Sequence, residues 1–365
     1  VSVIDNLEPQ VHASRGERPE WRNRDITFIF GDVRKKLDLR KAIEDVDAVL
    51  HLAAAVGVGQ SMYQVEKYVA YNTYGTSVLL DLLVNEEHDI KKLVVASSMS
   101  IYGEGKYLCQ ECGSVYPGLR RKKQLKRMIW DPTCPSCGKT LNPVSTDEEK
   151  PPMPTSIYAQ TKRHQEEMCL LVGKTYGIPT VSLRYFNVYG TRQSLSNPYT
   201  GVCSLFSTQV LNGKEPYVFE DGKQIRDFVC VRDVAKANVL AIEKNEAADM
   251  AINIGTGKET SIKELAEMLI RLYGVNLQPI ISNRYREGDV RHCFADISRA
   301  RKCLGYEPSV TLDNGLREFA EWAKMHQCAA ADLLDKAILE LEGKGLVQRA
   351  GTGDCTSTLR SRADG

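Results

Sequence analysis

Tyr158 and Lys162 stand four residues apart in a stretch, 157–176, whose pattern reads as a helix, so the two side chains share one face. An ammonium within a few ångströms favours phenolate over phenol, and that is how a tyrosine becomes a base for a hydroxyl proton. Alone, the pair is common on solvated helix faces. Its context is Ser97, Ser98 and Ser100 at the carboxyl end of the strand-like run 92–96, the edge where open parallel sheets hold their ligands. One serine would hold a substrate oxygen while Tyr158 takes its proton; the other two are expected to satisfy backbone groups of the loop.

A second constellation is Cys109, Cys112, Cys134 and Cys137, two CxxC pairs within one short segment. Four thiolates at this spacing close a tetrahedron around Zn²⁺ and leave no open position for catalysis, so the expected metal is structural. Cys169, Cys203, Cys230, Cys293 and Cys303 have no such spacing and read as buried apolar residues, while His51 and His292 read as packing or loop residues.

These residues need a frame to position them. Strand-like runs at 26–30, 48–52, 92–96 and 180–183 alternate with helical patterns such as 72–85 and 157–176, the latter closed by Gly177 and Pro179. Continuous β-branched runs suit strands covered on both faces, so the expected fold is α/β, a Rossmann-like doubly wound parallel sheet. Asp5 ends the first run, where a carboxylate accepts hydrogen bonds from an adenosine ribose, and Asp32 follows the second, where it would receive an adenine amino group. Either aspartate reads equally as a turn residue.

Residues 104–150, with the cysteines and the basic run Arg120-Arg121-Lys122-Lys123, interrupt the alternation as a zinc-ribbon-like insertion. It is too small and polar to fold by core burial alone, so zinc is expected to staple it. Its basic run reads as a solvated face or a lid or rim clamp rather than a nucleic-acid site. The expected domains are 1–185, the dinucleotide-binding domain with its insertion, 186–325, a smaller substrate domain partly interleaved with the first, and 326–365. That last segment carries a helix at 330–341 and a disordered tail. Ser261 is a candidate helix N-cap, with Glu264 at capping-box spacing.

The chain has 365 residues, 42% hydrophobic and 26% charged, which excludes a disordered or collagen-like protein. Lys plus Arg (48) balances Asp plus Glu (47), so no broad field attracts nucleic acid or membrane. Neither a signal peptide nor a membrane-length apolar run is visible, and the expected compartment is the cytoplasm.

SSMSIYG, YAQTK, YFNVYG, RDFVCVRDVA, NIGTG and REGDVR, in that order, resemble the extended short-chain dehydrogenase/reductase family of nucleotide-sugar epimerases and dehydratases. DNLEPQVH, HLAAAVGVGQSMYQVEKYV, SLSNPYTGV and VRHCFADI narrow the resemblance to one branch of 4-epimerases. The resemblance implies that Ser98, Tyr158 and Lys162 are catalytic. It also implies that Asp5, Asn6, Asp32, Val33, Leu52, Ala53, Ala54 and Asn72, with Tyr158 and Lys162, line NAD. Ser98, Asn187, Arg226 and Arg286 would then hold the nucleotide sugar, arginine suiting phosphate through its planar fork. Helices 72–85 and 157–176 match those that pair two subunits, so a homodimer is expected.

Two departures bear on activity. The GxxGxxG fingerprint should precede the ribose acid by about 20 residues. Only four residues precede Asp5, so the expectation is a chain truncated before its first strand and helix, binding NAD poorly as given. Where related dehydratases carry an Asp-Glu pair after the catalytic hydroxyl residue, this chain has Met99 and Ser100, which argues against dehydration. The readings left beside 4-epimerisation are a UDP-hexose 4-epimerase, another nucleotide-sugar dehydratase or decarboxylase, and an inactive zinc-binding fragment.

Overall fold

The computed structural model describes residues 1–12, 23, 25–199, 201–327 and 332–351. At its centre four parallel strands run in the spatial order Met250–Ile254, Thr180–Tyr185, Lys92–Ser98, Ala48–His51. Successive side chains of a strand point to opposite faces. Leu93 and Val95 therefore enter one apolar cluster and Val94 the other, and every residue of Lys92–Ser98 is buried. Leu39, Leu79, Leu82 and Cys169, from helices Lys36–Ile43, Gly75–Asn85 and Ile157–Tyr176, cover the first face. Val234 and Ala237 of helix Val231–Glu243 and Ala300 and Leu304 of helix Ser298–Leu304 cover the second. The sheet is doubly wound, as the uninterrupted β-branched runs require.

Ser2–Asp5 and Thr27–Phe30 pair in parallel as a separate two-stranded sheet, with Ile4 packed into the first cluster. Among the described residues Ala48–His51 has a partner strand on one side only.

Helix Ile157–Tyr176 has the bounds its sequence announces. The Ser156 hydroxyl accepts the Ala159 N–H at 3.1 Å, and Gly177 ends the helix at φ 72°, which glycine adopts without a Cβ penalty. The helix expected over 72–85 begins instead as a π-helical stretch, Val69–Tyr74, and becomes α-helical at Gly75–Asn85. Gly75 is required there, since a Cβ would stand 2.8 Å from Val33 Cγ2.

A third cluster packs helices Val202–Leu211, Ile262–Tyr273 and Leu312–Met325, and Ser261 Oγ accepts the Glu264 N–H at 3.1 Å as a cap. The interleaving goes further than a boundary at 185 implies. Within 186–325, helices Val231–Glu243 and Ser298–Leu304 and strand Met250–Ile254 all return to the central sheet.

The insertion forms a three-stranded antiparallel sheet with Lys106–Cys109 between Gly113–Val115 and Asn142–Val144, over a small core of Tyr107, Cys109, Val115, Cys134 and Leu141. The C-terminal helix spans Leu334–Gly343; Ala330, where the sequence reading began it, lies outside the described residues. The tail expected to be disordered is ordered in part. Val347–Arg349 pairs antiparallel with Arg284–Arg286, because Val347 buries its side chain and Gln348 accepts from the Tyr285 hydroxyl at 3.0 Å. Residues 352–365 lie outside the described residues. No helix among the described residues is long and apolar enough to cross a membrane.

Candidate active site

The strand Lys92–Ser98 ends in a 3₁₀ turn, Met99–Tyr102, and Ser98 caps it. Ser98 Oγ accepts from the Ser100 N–H (3.2 Å) and the Ser100 hydroxyl (2.8 Å), so these two serines serve the loop, while the Ser98 side chain is also near enough to the Tyr158 phenol to lower its pKa. Ser97 Oγ, expected to be one of the loop-satisfying hydroxyls, is buried without a partner. The Tyr158 ring lies edge-on to Tyr68, centroids 6.4 Å apart, and its backbone N–H donates to Ser61 Oγ at 3.0 Å.

The electrostatics differ from the sequence expectation. Burial pushes the Tyr158 phenol up from its ordinary value, and the neighbouring Ser98 side chain offsets part of that rise. Lys162 Nζ donates to Gln165 Oε1 at 3.0 Å, and burial lowers the ammonium to about 8. Gln165 Nε2 in turn donates to Thr76 Oγ1 (2.8 Å), which lies 2.7 Å from His51 Nε2. His51 is buried and its pKa is lowered to about 3, so it is a neutral packing partner, as its sequence context suggested. His292 accepts the Ile225 N–H at Nδ1 at 3.1 Å.

The expected cofactor residues lie at the carboxyl ends of the parallel strands. Asp5 Oδ1 accepts the Leu7 N–H at 2.7 Å. The Asp32 carboxylate takes a two-point contact from the Arg34 guanidinium (2.9 and 2.6 Å) and is held below the usual range chiefly by it, with a smaller lowering from Asn6. Val33 packs against Gly75; Leu52 is half exposed, followed by the partly buried Ala53 and Ala54. Asn72, expected to line NAD, has a structural task of its own. It is fully buried, accepts the Ala55 N–H (2.7 Å), and donates to the Ala55 carbonyl (3.0 Å) and Thr161 Oγ1 (2.9 Å). It thus ties the loop after Ala48–His51 to the helix carrying Tyr158. Acidic groups at the first two strand ends, an apolar loop at the third and an unpartnered Ser97 hydroxyl at the next fit a dinucleotide laid along this edge.

On the substrate side, Asn187 Oδ1 is buried and without a partner among the described residues, an acceptor left for a ligand. Arg286 donates from Nε to Asp289 Oδ2 at 2.8 Å and lines a cleft with Thr155, Ser156 and Asp289. Arg226, expected to hold phosphate or base, donates to the carbonyls of Ile225 (2.8 Å), Arg291 (3.0 Å) and Val290 (2.6 Å), which fix its guanidinium beside the substrate loop. Sequence reading missed Thr155, whose hydroxyl donates to the Gly288 carbonyl at 3.0 Å and ties that loop to the catalytic helix, and the buried Arg291. REGDVR held both Arg286 and Arg291, but an arginine's type does not reveal which one is internal.

The four cysteine sulfurs of the insertion lie within 4.8 Å of one another. Gly113 (φ 74°) and Gly138 (φ 75°) follow the two CxxC pairs and allow the left-handed turn that brings each pair round. This donor set fits a tetrahedral thiophilic cation. Cys169, Cys203, Cys230 and Cys293 are buried, and Cys303 is half-buried.

The model of the NAD dependent epimerase/dehydratase family matches residues 1–117 and 119–255, and the chain belongs to that family. Within it, the dTDP-L-rhamnose 4-epimerase of Burkholderia thailandensis is 34% identical over 322 residues, 88% of this chain and 87% of that one. The UDP-glucose 4-epimerase of Halalkalibacterium halodurans is 29% identical over 89% of each chain. Among solved structures, the Thermotoga maritima UDP-glucose 4-epimerase with UDP-glucose superposes with a TM-score of 0.71 at 28% identity, over 89% of this chain and 91% of that one. The Bacillus cereus UDP-glucuronic acid 4-epimerase, in complex with UDP-glucuronic acid and NAD, gives 0.66 at 30% identity over 83% of each.

Proposed function

We propose that this protein is an NAD-dependent nucleotide-sugar 4-epimerase, an isomerase, acting on dTDP-L-rhamnose, and that its insertion holds one structural Zn²⁺. The observation that carries the reaction is the placement of Ser98, at the carboxyl end of the strand Lys92–Ser98, beside the buried Tyr158 phenol of the helix Ile157–Tyr176, in a chain of this family. The identity with the Burkholderia enzyme supports the sugar. A UDP-hexose is the second reading, favoured by the likeness to UDP-glucose 4-epimerases. Met99 and Ser100 speak against dehydration, and the intact Ser98–Tyr158 contact speaks against an inactive zinc-binding fragment.

In this mechanism Tyr158 takes the proton of the sugar O4 while Ser98 Oγ holds that oxygen. Asp5, Asn6, Asp32, Val33, the loop 52–54 and Lys162 would hold NAD⁺, which when bound would supply a hydride acceptor for C4 and return that hydride. Tyr158 gives its proton back to O4 once the 4-keto sugar presents its other face. Proton and hydride each leave and return once, so no net oxidation occurs. Asn187 and Arg286 hold the diphosphate.

Exposed Tyr74, Leu171 and Tyr176 beside the helix pair support a homodimer, which light scattering of the protein tests. Nine free cysteines among the described residues support a reducing, cytoplasmic setting. Tyr158→Phe should lower kcat by about 10²- to 10⁴-fold, the range for loss of a positioned acid–base group, with NAD content unchanged. Turnover near that of the unaltered enzyme would remove Tyr158 from the mechanism.

A further inference from the structure

Arg120 opens the basic run of the insertion, yet its side chain is almost fully buried. Its two Nη atoms make paired 2.8 Å bonds to the Glu220 carboxylate, and they also donate to the Trp130 carbonyl (3.0 Å) and the Asp289 carbonyl (2.9 Å). Glu220 also accepts from Arg291 Nη1 (3.0 Å), and it sits at φ 54°, a conformation a non-glycine residue holds only when its surroundings fix it. Arg291, wholly buried, reaches Asp131 of the insertion (2.7 Å) and Asp221 (2.6 and 2.9 Å). The backbone N–H groups of Arg291 and His292 donate to Glu104 (2.9 and 2.7 Å), which also accepts from the Tyr107 hydroxyl (2.7 Å).

Tyr107 lies two residues before Cys109, and Asp131 three before Cys134, so each CxxC pair continues directly into a contact with residue 291 or its neighbour. Asp289 completes the relay. Its carbonyl is held by Arg120 and its carboxylate holds Arg286.

We propose that the insertion is a metal-tied clamp on the substrate loop 286–291, in which Arg120 is a positioning residue that fixes Arg286 through Asp289. The clamp deepens the function proposed above and rests on its metal and its nucleotide-sugar site. A loop tied at Thr155 to the catalytic helix and at Arg120 to the insertion keeps the diphosphate end of the sugar nucleotide in register with Tyr158.

The test uses Arg120→Met, which leaves Glu220 paired with Arg291, and Arg120→Lys, which keeps the charge but not the two-point contact. The Met variant should raise KM for the nucleotide sugar by about tenfold or more, with kcat and NAD content held, and the Lys variant should recover part of it. Hydrogen exchange supplies a readout independent of turnover. Backbone amides of 284–293 should exchange faster in Arg120→Met, and in protein stripped of zinc, while those of 92–98 stay protected. If Arg120→Met fails to fold, Cys112→Ser, at an exposed cysteine, carries the same two readouts.

Unchanged KM and unchanged exchange at 284–293 in the Arg120 variants overturn the clamp. Faster exchange with Arg120→Met but not on zinc removal overturns the metal tie. Absence of zinc from the purified protein defeats the metal reading, and absence of turnover on any nucleotide sugar defeats the reaction; the exchange data decide the clamp in both cases.

Discussion

Lys162→Met should make the protein more stable at neutral pH while abolishing its proposed activity. Burial lowers the Lys162 ammonium from 10.5 to about 8, a drop of two to three units. At about 1.4 kcal/mol per unit, the folded state carries a penalty of about 3 kcal/mol for keeping this charge. Methionine fills the same space without charge, and losing the hydrogen bond to Gln165 subtracts about 1 kcal/mol, leaving a gain of about 2 kcal/mol. The sign follows from which state loses its proton first. Below about pH 8 the lysine is charged in both states and the folded protein bears the whole penalty. Between about pH 8 and 10.5 the folded protein releases the proton while the unfolded chain keeps it, so the penalty fades, and above that range it is gone. Urea unfolding of both proteins, followed by circular dichroism from neutral pH to about pH 10.5, reads the difference directly, because other titrations are common to the pair. Equal stability at neutral pH, or an advantage that persists undiminished at the alkaline end, refutes the reasoning.

Asn72→Ala strips the Ala55 backbone of both its side-chain partners and leaves the Thr161 hydroxyl one bond short, which should cost about 2–4 kcal/mol by urea unfolding and reduce NAD retention on purification. A variant as stable as the parent would free the 52–55 loop of its dependence on Asn72. Arg184→Met leaves Glu166, to which Arg184 donates at 2.6 Å, buried beside the Ser182 hydroxyl alone, and should destabilise by about 3–5 kcal/mol; a loss below 1 kcal/mol would mean that Glu166 takes up a proton at little cost. Elemental analysis should find one zinc per chain, and Cys109→Ser, at a buried ligand, should lower that occupancy and the thermal midpoint together. Full zinc in that variant would move the metal elsewhere.

The parts of the fold legible in the sequence are those governed by local chemistry. Ser156 and Gly177 bracket the catalytic helix because a hydroxyl satisfies its first N–H groups and a glycine can turn left-handed at its end. Lys92–Ser98 is legible because a strand covered on both faces has no polar face to show. The π-helical stretch Val69–Tyr74 is not, since a shift of hydrogen-bond register leaves the apolar spacing nearly unchanged.

At the site, the residue types of Ser98 and Tyr158 and their place on a strand end and a helix were enough to bring them together. The commitments of the arginines were not legible. Arg120 and Glu220 are a hundred residues apart, and nothing in their spacing marks a pair. Arg226 has the residue type that suits phosphate, and the three backbone carbonyls that hold its guanidinium come together only in the tertiary fold. Asn72 stands where a cofactor contact is expected and fastens the loop that makes such contacts. The strand Val347–Arg349 lies in a stretch rich in Gly, Thr, Ser and Arg, whose composition hides the one buried valine that docks it.

The central claim is inversion at sugar C4, and proton NMR of dTDP-L-rhamnose incubated with the protein and NAD tests it most directly. The account predicts a second anomeric signal that grows to a fixed ratio with the first, that of the C4 epimer, and the same final ratio when the epimer is supplied instead. An unchanged spectrum from protein with NAD demonstrably bound would contradict dTDP-L-rhamnose as the substrate, and the same result with UDP-hexoses would contradict 4-epimerisation itself.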